Sequence, residues 1–365
     1  MFAQLKSFTL RLIAGANTAT VVLTVFSGYA DYISPADYPL LSLAGMGFPL
    51  LLVVNFMFLF FWLTIKWKYT IIPIAGLICC YLPIATYLPF NYKSTIPDDA
   101  VKVMTFNVEA YSGQPFLNDG FEHVLNYIKE QNADIVCLQE AIDTHQNSIK
   151  RFDSLYAYID TTLVSKSTKE GLLNYVGILS RFPILKKERI FYESAANGSV
   201  AYWLQMRDDT VIVINNHLES NHLSLEDRTK YKEIIKGNLD GDSAKEESAF
   251  ILGKLMSAAK TRSSQADSVH KYIDSFSRYP IIVCGDFNDT PISYTRRTIA
   301  RGLTDCFCES GRGLGLSYNQ KGFNFRIDHM MVSHHFTPMN AYVDNKIEIS
   351  DHYPLICWLK NNELH

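Results

Sequence analysis

The first 100 residues of this 365-residue chain lack histidine and glutamate entirely, and they contain only four aspartates and five basic residues. A soluble domain carries charge on about a quarter of its residues. The scarcity of charge therefore excludes an ordinary water-exposed fold for this segment. All 10 histidines lie after residue 100, so a site that depends on ionisable side chains is expected in the later part of the chain.

The chain also lacks a basic surplus and a regular set of cysteines. Its formal net charge is −3, and the region after residue 100 is mildly acidic. That balance argues modestly against tight, nonspecific binding to duplex nucleic acid. The seven cysteines are scattered and odd in number, so they do not define a disulfide framework. Cys306 and Cys308 form a lone CxC without a second pair, which does not provide the four ligands of a zinc site.

Long uncharged runs take the place of the missing charge. Three of them, at about 12–30, 38–65 and 69–92, approach or exceed the roughly 20 residues that a helix needs to cross a bilayer. We therefore predict a membrane anchor with three spans over residues 1–92, followed by a linker over residues 93–100. The first run has a small-residue end and could instead be a cleaved signal peptide.

The placement of lysine and arginine predicts the orientation of this anchor. Lys6 and Arg11 precede the first span, and Lys66 and Lys68 lie between the second and third spans. The loop between the first two spans carries only acidic charges. Because basic residues favour the cytoplasmic side, the amino terminus should be cytoplasmic and everything after residue 92 should lie on the non-cytoplasmic side.

From residue 101 onward the pattern changes to short apolar runs separated by polar segments. Runs typical of strands occupy 101–106, 134–138, 175–179, 211–215, 281–284, 325–332 and 354–359, and helical patterns occupy 121–130 and 267–276. This mixture predicts one α/β domain over residues 101–360 with a sheet at its core. Residues 219–264 are charged and partly helical, and they read as an insertion near one rim of the sheet. It could cover a site or contact lipid, although a solvated surface helix is the default interpretation.

Polar side chains follow many of these strands. The apolar run Ile281–Cys284 leads into Gly285, Asp286, Phe287 and Asn288, which places a carboxylate and a carboxamide together at a sheet edge. The other candidates at strand ends are Asn107, Glu140, His217, Asp328, Asp351 and His352. Each alone has an ordinary explanation as a turn, a helix cap or a buried polar residue. Their recurrence at six strand ends indicates a shared site.

These segments, in this order, resemble the endonuclease/exonuclease/phosphatase superfamily, which includes deoxyribonuclease I-like nucleases, abasic-site endonucleases, neutral sphingomyelinases and inositol-phosphate 5-phosphatases. The similar segments run through residues 101–359, and the membrane anchor lies outside them. They are Thr105-Phe106-Asn107, Leu138-Gln139-Glu140, Gly177-Ile178-Leu179-Ser180-Arg181, Asn216-His217-Leu218, Arg262 with Gln265, Gly285-Asp286-Phe287-Asn288, Arg326-Ile327-Asp328-His329 and Ser350-Asp351-His352.

The resemblance implies a four-layer α/β/β/α sandwich, preceded here by three transmembrane helices, with the site at one end of two packed sheets. It implies that Glu140 binds Mg²⁺ or Mn²⁺, with Asn107 and Asp351 close to the metal or its waters.

The resemblance also implies catalytic roles. Asp286 would deprotonate the attacking water, Asn288 would hold the nucleophile or a phosphoryl oxygen, and His217 would donate to phosphate oxygens. His352 would donate in the same way, with its charge fixed by Asp328. Arg262 and Gln265 are expected to be structural, bracing the helix against the sheet.

The function expected from these observations is a membrane-anchored, divalent-metal-dependent phosphoesterase. A phosphodiester in a lipid headgroup or a nucleic acid is the expected substrate, and no protein partner is inferred. An alternative is a catalytically silent domain that binds a phosphorylated ligand and uses the spans for assembly. A third possibility, that the spans transport a solute, is disfavoured because their apolar cores contain no charged residue.

Overall fold

The computed structural model describes residues 2–111, 120–141, 148–166, 173–194, 196–238, 240–320 and 323–362. The first part of the chain is helical. Its helices are α1 (Phe2–Gly28), α2 (Pro39–Ser42), α3 (Phe48–Ile65), α4 (Ile71–Cys79) and α5 (Tyr81–Tyr87), with 3₁₀ turns at Ala30–Tyr32, Leu43–Gly47 and Trp67–Thr70.

Two segments of the described chain, Gln4–Gly28 and Pro39–Ile65, have the length and apolar composition of membrane-crossing helices. The third predicted span is a broken pair of helices, Trp67–Cys79 and Tyr81–Tyr87, bent by 62°. By length and composition the described residues therefore contain two candidate spans, or three if the bent pair is one span. Pro83 lacks an N–H for the carbonyl of Cys79, which explains the break. That carbonyl accepts a hydrogen bond from the Tyr29 hydroxyl instead, at 2.8 Å.

Polar contacts join the first two membrane helices. The indole Nε1 of Trp62 donates to Asn17 Oδ1 at 3.0 Å, and the Asn55 amide donates to the Thr24 hydroxyl. Such contacts stabilise helix association in lipid, where burial of apolar surface does not drive packing. Most apolar side chains of these helices remain exposed, which fits a lipid surrounding.

The described residues of the α/β domain form 14 strands and five further α-helices. Its strands are β1 (Val101–Asn107), β2 (Ile135–Gln139), β3 (Tyr158–Lys166), β4 (Leu173–Ser180), β5 (Ile184–Ile190), β6 (Gly198–Met206), β7 (Asp209–His217), β8 (Ile281–Asp286), β9 (Thr304–Asp305), β10 (Tyr318–Gln320), β11 (Phe323–Phe325), β12 (Asp328–Val332), β13 (Phe336–Val343) and β14 (Leu355–Asn361). Its helices are α6 (Gly120–Gln131), α7 (Leu225–Lys236), α8 (Gly241–Ser275), α9 (Tyr294–Ile299) and α10 (Cys306–Ser310), with 3₁₀ turns at Glu109–Tyr111 and Ser148–Ser154.

Two six-stranded sheets form the core of this domain. Sheet 1 has the order β13-β14-β1-β2-β4-β3, sheet 2 has the order β5-β6-β7-β8-β12-β9, and β10 and β11 form a separate hairpin. Both sheets are mixed, because β1 pairs with β2 and β7 pairs with β8 in parallel while the remaining pairs are antiparallel.

The alternation of side chains along β8 shows how the layers stack. Ile282 and Cys284 point between the two sheets, whereas Ile281 and Val283 point to the other face, where they meet Val269 of α8. Helix α6 covers the outer face of sheet 1 in the same way. The order helix, sheet, sheet, helix is the predicted four-layer sandwich, and this prediction is confirmed.

The observed elements refine several predicted bounds. The run predicted as one strand over 325–332 is divided between β11 and β12, which belong to different sheets. The helical pattern at 267–276 is the carboxyl-terminal part of the much longer α8. The charged segment 219–264 forms α7 and most of α8, and residues from both helices line the cavity described below. It therefore covers the site, and the default interpretation of a merely solvated surface helix was wrong.

Candidate active site

The register of sheet 2 places three candidate residues in one row. His217 at the end of β7 lies opposite Asp286 at the end of β8, and Asp328 at the start of β12 lies opposite Asp286 on the other side. Gly285 precedes this row with a φ of 130°, and a Cβ there would meet the Asn216 carbonyl oxygen at 2.0 Å. Only glycine fits this position, which lets β8 run close beside β7 into the turn that contains Asp286 and Asn288.

Sheet 1 brings its own candidates to the same edge. Asn107 ends β1 opposite Gln139 of the parallel strand β2, and Glu140 follows in a left-handed conformation with φ 51°. Gln139 donates to Asn215 Oδ1 of sheet 2 at 2.6 Å, while the Asn215 amide donates to the Leu138 carbonyl at 3.0 Å. This buried polar bridge joins the two sheets just below the site.

Asp286 is the centre of the hydrogen-bond network. One of its oxygens accepts from the Asn288 backbone N–H at 2.8 Å, and the other accepts from the amides of Asn107 at 3.1 Å and Asn288 at 3.2 Å. Burial raises the pKa of Asp286 to about 6, with the Asp328 charge adding to the rise and His352 opposing it. A carboxylate with this pKa is ionised near neutrality and still basic enough to accept a proton.

His352 lies between two carboxylates. Its Nδ1 is 2.8 Å from Asp328 Oδ2, and its Nε2 is 3.7 Å from Asp286 Oδ2. Burial alone would lower the pKa of His352, but the charges of Asp328 and Asp286 raise it well above its usual value. These charges favour the protonated ring, and the hydrogen bond to Asp328 fixes its orientation.

His217 faces the same carboxylates from sheet 2. Its Nε2 lies 3.5 Å from Glu140 Oε1 and 3.8 Å from Asp286 Oδ2. Its Nδ1 is buried and makes no hydrogen bond within the described ranges of the chain.

Asn288 has a left-handed backbone, with φ 52°, and its side-chain amide also donates to the Leu218 carbonyl at 2.9 Å. Left-handed backbone at Asn288 and Glu140 is typical of residues held by a functional site.

Three carboxylates, those of Glu109, Glu140 and Asp351, influence one another electrostatically beside the site. Glu109 Oε2 accepts the Asp351 backbone N–H at 3.0 Å. Burial, together with the charges of Asp351 and Glu140, raises the pKa of Glu109 to about 7. Burial also raises the pKa of Asp351, and Glu140 adds to that rise. Carboxylate oxygens are the ligands that Mg²⁺ and Mn²⁺ prefer. A bound divalent cation would offset the repulsion between these carboxylates.

Asn107 is placed to orient this cluster. Its amide nitrogen donates to Glu140 at 3.2 Å as well as to Asp286. Its Oδ1 accepts the Glu109 backbone N–H at 3.1 Å. The candidate metal residues Glu140, Asn107 and Asp351 are thus brought together.

The trio Asp286, Asp328 and His352 has ligand atoms within 4.8 Å of one another and could also hold a metal ion. In this trio the His352 Nδ1 is already hydrogen-bonded to Asp328, so that nitrogen is not available to a metal.

A cavity of about 300 Å³ opens over these residues. Its polar lining includes Glu140, Asp286, Asn288, Asp351 and His352, and apolar or aromatic side chains line it as well. The apolar lining comes from three places, namely Leu43 and Met46 of the membrane anchor, Leu223, Tyr231, Ile251 and Leu255 of the α7–α8 region, and Phe323, Phe325 and Ile327 of the hairpin region.

Arg262 and Gln265 have structural contacts, as expected. Arg262 Nη1 donates to the Glu219 carbonyl and to Asn221 Oδ1, both at 2.9 Å, and its Nε lies 3.3 Å from Asp289. Gln265 accepts the Glu219 N–H at 2.9 Å and donates to the Glu193 carbonyl at 3.0 Å. Helix α8 is thereby fixed to the loops beside the site.

Three residues of the site had not been recognised in the sequence. Glu109 stands two positions after Asn107, and that spacing from a strand end was the only available signal. Tyr318 packs its ring against His352 with a centroid distance of 5.0 Å, and Arg228 lies over the Tyr318 ring at 5.7 Å. Neither follows an apolar run, so no sequence pattern marked them.

Comparison with known proteins identifies the relatives of each part of the chain. Residues 104–352 match the Endonuclease/Exonuclease/phosphatase family, and residues 10–87 match a domain of unknown function, DUF8431. No curated protein is similar to the chain.

Several solved structures have the same fold. One is the catalytic domain of human Nocturnin with bound sulfate, with a TM-score of 0.52 and 15% identity over 73% of this chain and 97% of that chain. Another is an endonuclease/exonuclease/phosphatase from Beutenbergia cavernae, with a TM-score of 0.52 and 16% identity over 72% of each chain. A third is D. rerio TDP2 complexed with a single-strand DNA product, with a TM-score of 0.51 and 15% identity over 72% of this chain and 100% of that chain. At these identities the similarity establishes the fold alone.

Proposed function

Because the chain belongs to the endonuclease/exonuclease/phosphatase family, we propose that it is a membrane-anchored, divalent-metal-dependent phosphodiesterase. The observation that carries this proposal is the convergence of an ionisable base and a fixed imidazolium on one cavity. Asp286 and His352 face each other across 3.7 Å, and the carboxylates of Glu109, Glu140 and Asp351 gather beside them.

The proposed reaction is the attack of water on phosphorus with cleavage of one P–O ester bond. Asp286 accepts a proton from the attacking water, and its pKa of about 6 suits this task near neutral pH. The side-chain amides of Asn288 and Asn107 donate to Oδ2 of Asp286, and the Asn288 backbone N–H donates to its Oδ1, which holds the carboxylate in position. Phosphoryl transfer depends mostly on such positioning and on stabilisation of charge.

The two histidines supply hydrogen bonds to the phosphoryl oxygens. His352 is held as an imidazolium by Asp328, so its Nε2–H is free to point toward negative charge that develops in the transition state. His217 faces the same space from β7. Glu140, Asp351 and Glu109, with Asn107 orienting them, would hold the cation, which when bound supplies further neutralisation of phosphoryl charge.

We also propose that this chemistry takes place on the non-cytoplasmic side, with residues 1–92 as the anchor and residues 101–360 as the catalytic domain. The distribution of Lys6, Arg11, Lys66 and Lys68 supports this orientation. The packing of α1 against α3 and α4 supports its retention as a span, since Gly76 of α4 lies directly against Val21 of α1.

The test is hydrolysis of bis(p-nitrophenyl) phosphate by the full-length protein in detergent, with Mg²⁺ and with a chelator. We expect the chelator to abolish hydrolysis and Asp286→Asn to lower kcat by about 10²–10⁴-fold, the usual contribution of a general base. Asp208→Asn, on an exposed turn, is the matched control and should behave as wild type. A protein that binds this diester but never cleaves it would instead support the catalytically silent alternative.

A further inference from the structure

We propose that the substrate is a membrane lipid whose headgroup is joined through a phosphodiester, and that the anchor itself forms part of its binding site. The inference rests on the proposed phosphodiesterase function and adds the class of substrate. In this arrangement the apolar part of the lipid lies against Leu43 and Met46, and the phosphodiester reaches Asp286 in the same cavity.

The first observation is that a membrane-crossing segment reaches the catalytic cavity. Leu43 and Met46 lie within Pro39–Ile65, one of the two segments long and apolar enough to cross a membrane. The same two side chains line the cavity that contains Asp286 and His352. A lipid chain beside this segment can therefore enter the cavity along a continuous apolar surface, without crossing water.

The second observation is that the anchor is packed against the catalytic loop itself. Gly45 lies so close to Ile292 that a Cβ at Gly45 would meet the Ile292 carbonyl oxygen at 2.2 Å. Ile292 stands six residues after Asp286, and its side chain is buried in a cluster with Phe48 of α3. The cavity is thus fixed at the end of the second span.

The anchor is held there by ion pairs and hydrogen bonds as well. Asp31, between the first two spans, pairs with Arg297 at 3.4 Å, and the Arg297 guanidinium lies over the Tyr32 ring. On the other side, Arg326 donates to the Thr86 carbonyl at the end of α5. Contacts on both sides of the anchor therefore hold it against the α/β domain. These contacts fix the position of Leu43 and Met46 in the cavity lining.

The third observation is the chemistry of the remaining lining. Ile251 and Leu255 of α8 and Tyr231 of α7 continue the apolar surface away from the anchor. Tyr231 packs against Phe323 with a centroid distance of 5.2 Å, so these two rings close the side of the cavity together. An apolar lining beside a polar reaction centre matches an amphiphile.

The charges of the cavity argue against a nucleic-acid strand. Among the described residues that line it, Arg228 and Arg262 are the only arginines or lysines, beside the histidines His222 and His352, and Arg262 is paired with Asp289. The carboxylates of Glu140, Asp286 and Asp351 add negative charge to the same lining. A polyanionic strand binds along a positively charged groove, whereas a single phosphodiester needs one such contact, which Arg228 can provide beside Tyr318.

The experiment compares lipids with their own deacylated headgroup diesters. The full-length protein is placed with Mg²⁺ in vesicles of phosphatidylethanolamine, phosphatidylglycerol and phosphatidylcholine, and separately with the three corresponding glycerophosphodiesters. Products are measured by mass spectrometry. We expect kcat/KM to be at least about tenfold higher for an acylated substrate, because each buried methylene of the chain contributes to binding. Bis(p-nitrophenyl) phosphate and a single-stranded DNA oligonucleotide are assayed in parallel.

Variants of the anchor test the binding site directly. Leu43→Gln with Met46→Gln should lower the ratio of kcat/KM between acylated and deacylated substrate by about tenfold. Leu40→Gln is the matched control, because Leu40 is 54% exposed in the same segment, Pro39–Ile65, and is not among the residues that line the cavity; its ratio should stay within twofold of wild type. Should the double variant misfold, Met46→Gln alone should lower the ratio and Met46→Leu should restore it.

Each result has a separate meaning. Asp286-dependent hydrolysis of bis(p-nitrophenyl) phosphate or DNA, without preference for any acylated lipid, would overturn the lipid inference and leave the phosphodiesterase proposal standing. If the Leu43 and Met46 variants lose kcat/KM equally on acylated and deacylated substrates, the lipid inference is also overturned. These two side chains would then have only a structural role. Inactivity toward every diester would overturn both proposals.

Discussion

Single residues determine how charge is distributed in the site. Asp286 is surrounded by donors on one side and by the imidazolium of His352 on the other. Asp328 Oδ2 lies 2.8 Å from the Nδ1 of His352. Under the proposed mechanism Asp328 is a positioning residue that acts through His352, and its effect should be separable from that of the base.

The first prediction concerns this positioning role. Asp328→Asn keeps the size of the side chain but removes the charge that holds His352 as an imidazolium. We expect kcat for bis(p-nitrophenyl) phosphate to fall by about 10²–10³-fold, the effect of losing one preorganised donor to the transition state, with KM changed much less. The pKa of His352, followed by NMR titration, should fall in the same variant. An unchanged His352 titration would contradict the assigned role.

A second prediction concerns a buried ion pair outside the site. Arg296 donates to Asp305 at 2.7 Å and 3.0 Å, and both side chains are largely buried. Burial would raise the pKa of Asp305, but Arg296 lowers it well below its usual range. Because the folded-state pKa is the lower one, the pair stabilises the protein above about pH 4 and loses this effect as pH falls through the folded-state pKa.

Asp305→Asn should therefore lower the free energy of unfolding at pH 7 by about 3–5 kcal/mol, measured by thermal unfolding in detergent. It should also flatten the loss of stability of the wild type on acidification. Glu226→Gln is the control, since Glu226 is 77% exposed in its pair with Lys230 and its removal should change stability by less than about 1 kcal/mol. Equal effects of the two variants would refute this assignment.

Much of the residue-level site could be predicted from the sequence because strand ends are visible as polar residues after apolar runs. All eight candidates lie at one end of the sandwich, and their contacts join Asn107, Glu140, His217, Asp286 and His352 directly. Their catalytic and metal-binding roles stay predictions. Tyr318 and Arg228 could not be found in this way, because tertiary packing alone brings them to the cavity. Glu109 stands two residues after the strand end at Asn107, and only its contact with Asp351 marks it as part of the site.

At the scale of elements, the sequence predicted the interior strands and missed the edges. The predicted strands β1, β2, β4, β7, β8 and β14 have a neighbour on both sides, and so does β12. All four edge strands, β3, β5, β9 and β13, were missed, together with β6 and the β10–β11 hairpin. An edge strand is half solvated and carries polar residues, as Lys186, Lys187 and Glu188 show in β5, so its apolar signal is weak.

The third prediction concerns the element that joins the anchor to the catalytic loop. Gly45→Ala would place a Cβ within 2.2 Å of the Ile292 carbonyl oxygen, so the 3₁₀ turn and the loop after Asp286 must separate. We expect a loss of about 1–3 kcal/mol of stability and a lower rate of diester hydrolysis. Gly47→Ala is the control, because the nearest atom to its Cβ would be Ser27 Oγ at 4.0 Å. Equal behaviour of the two variants in thermal unfolding would contradict the close packing.

At the scale of the whole molecule, the anchor and the α/β domain are one packed unit. Asn91 Nδ2 donates to the carbonyls of Cys308 and Gly311, both at 2.9 Å, directly after the helical segment. The sequence predicted membrane helices and an α/β domain separately because each has its own hydrophobic pattern. It could not predict that the two parts share a cavity, since that depends on tertiary contacts between residues far apart in the chain.

The fourth prediction concerns topology. In a Cys79→Ser background, which removes the exposed native thiol, Asp208→Cys should react with a membrane-impermeant maleimide on intact cells. Lys68→Cys should react only after the membrane is permeabilised, because the basic loop is expected on the cytoplasmic side. The reverse pattern of labelling would show that the catalytic domain is cytoplasmic.

The segment Pro39–Ile65 contributes Leu43 and Met46 to the cavity lining. If the substrate is a membrane lipid, this arrangement determines how the substrate reaches the site. A lipid that enters beside Leu43 and Met46 arrives by lateral diffusion in two dimensions. The effective concentration is then the mole fraction of that lipid in the membrane, and diluting the vesicles in buffer would leave turnover unchanged. Diluting the substrate with inert lipid would slow it.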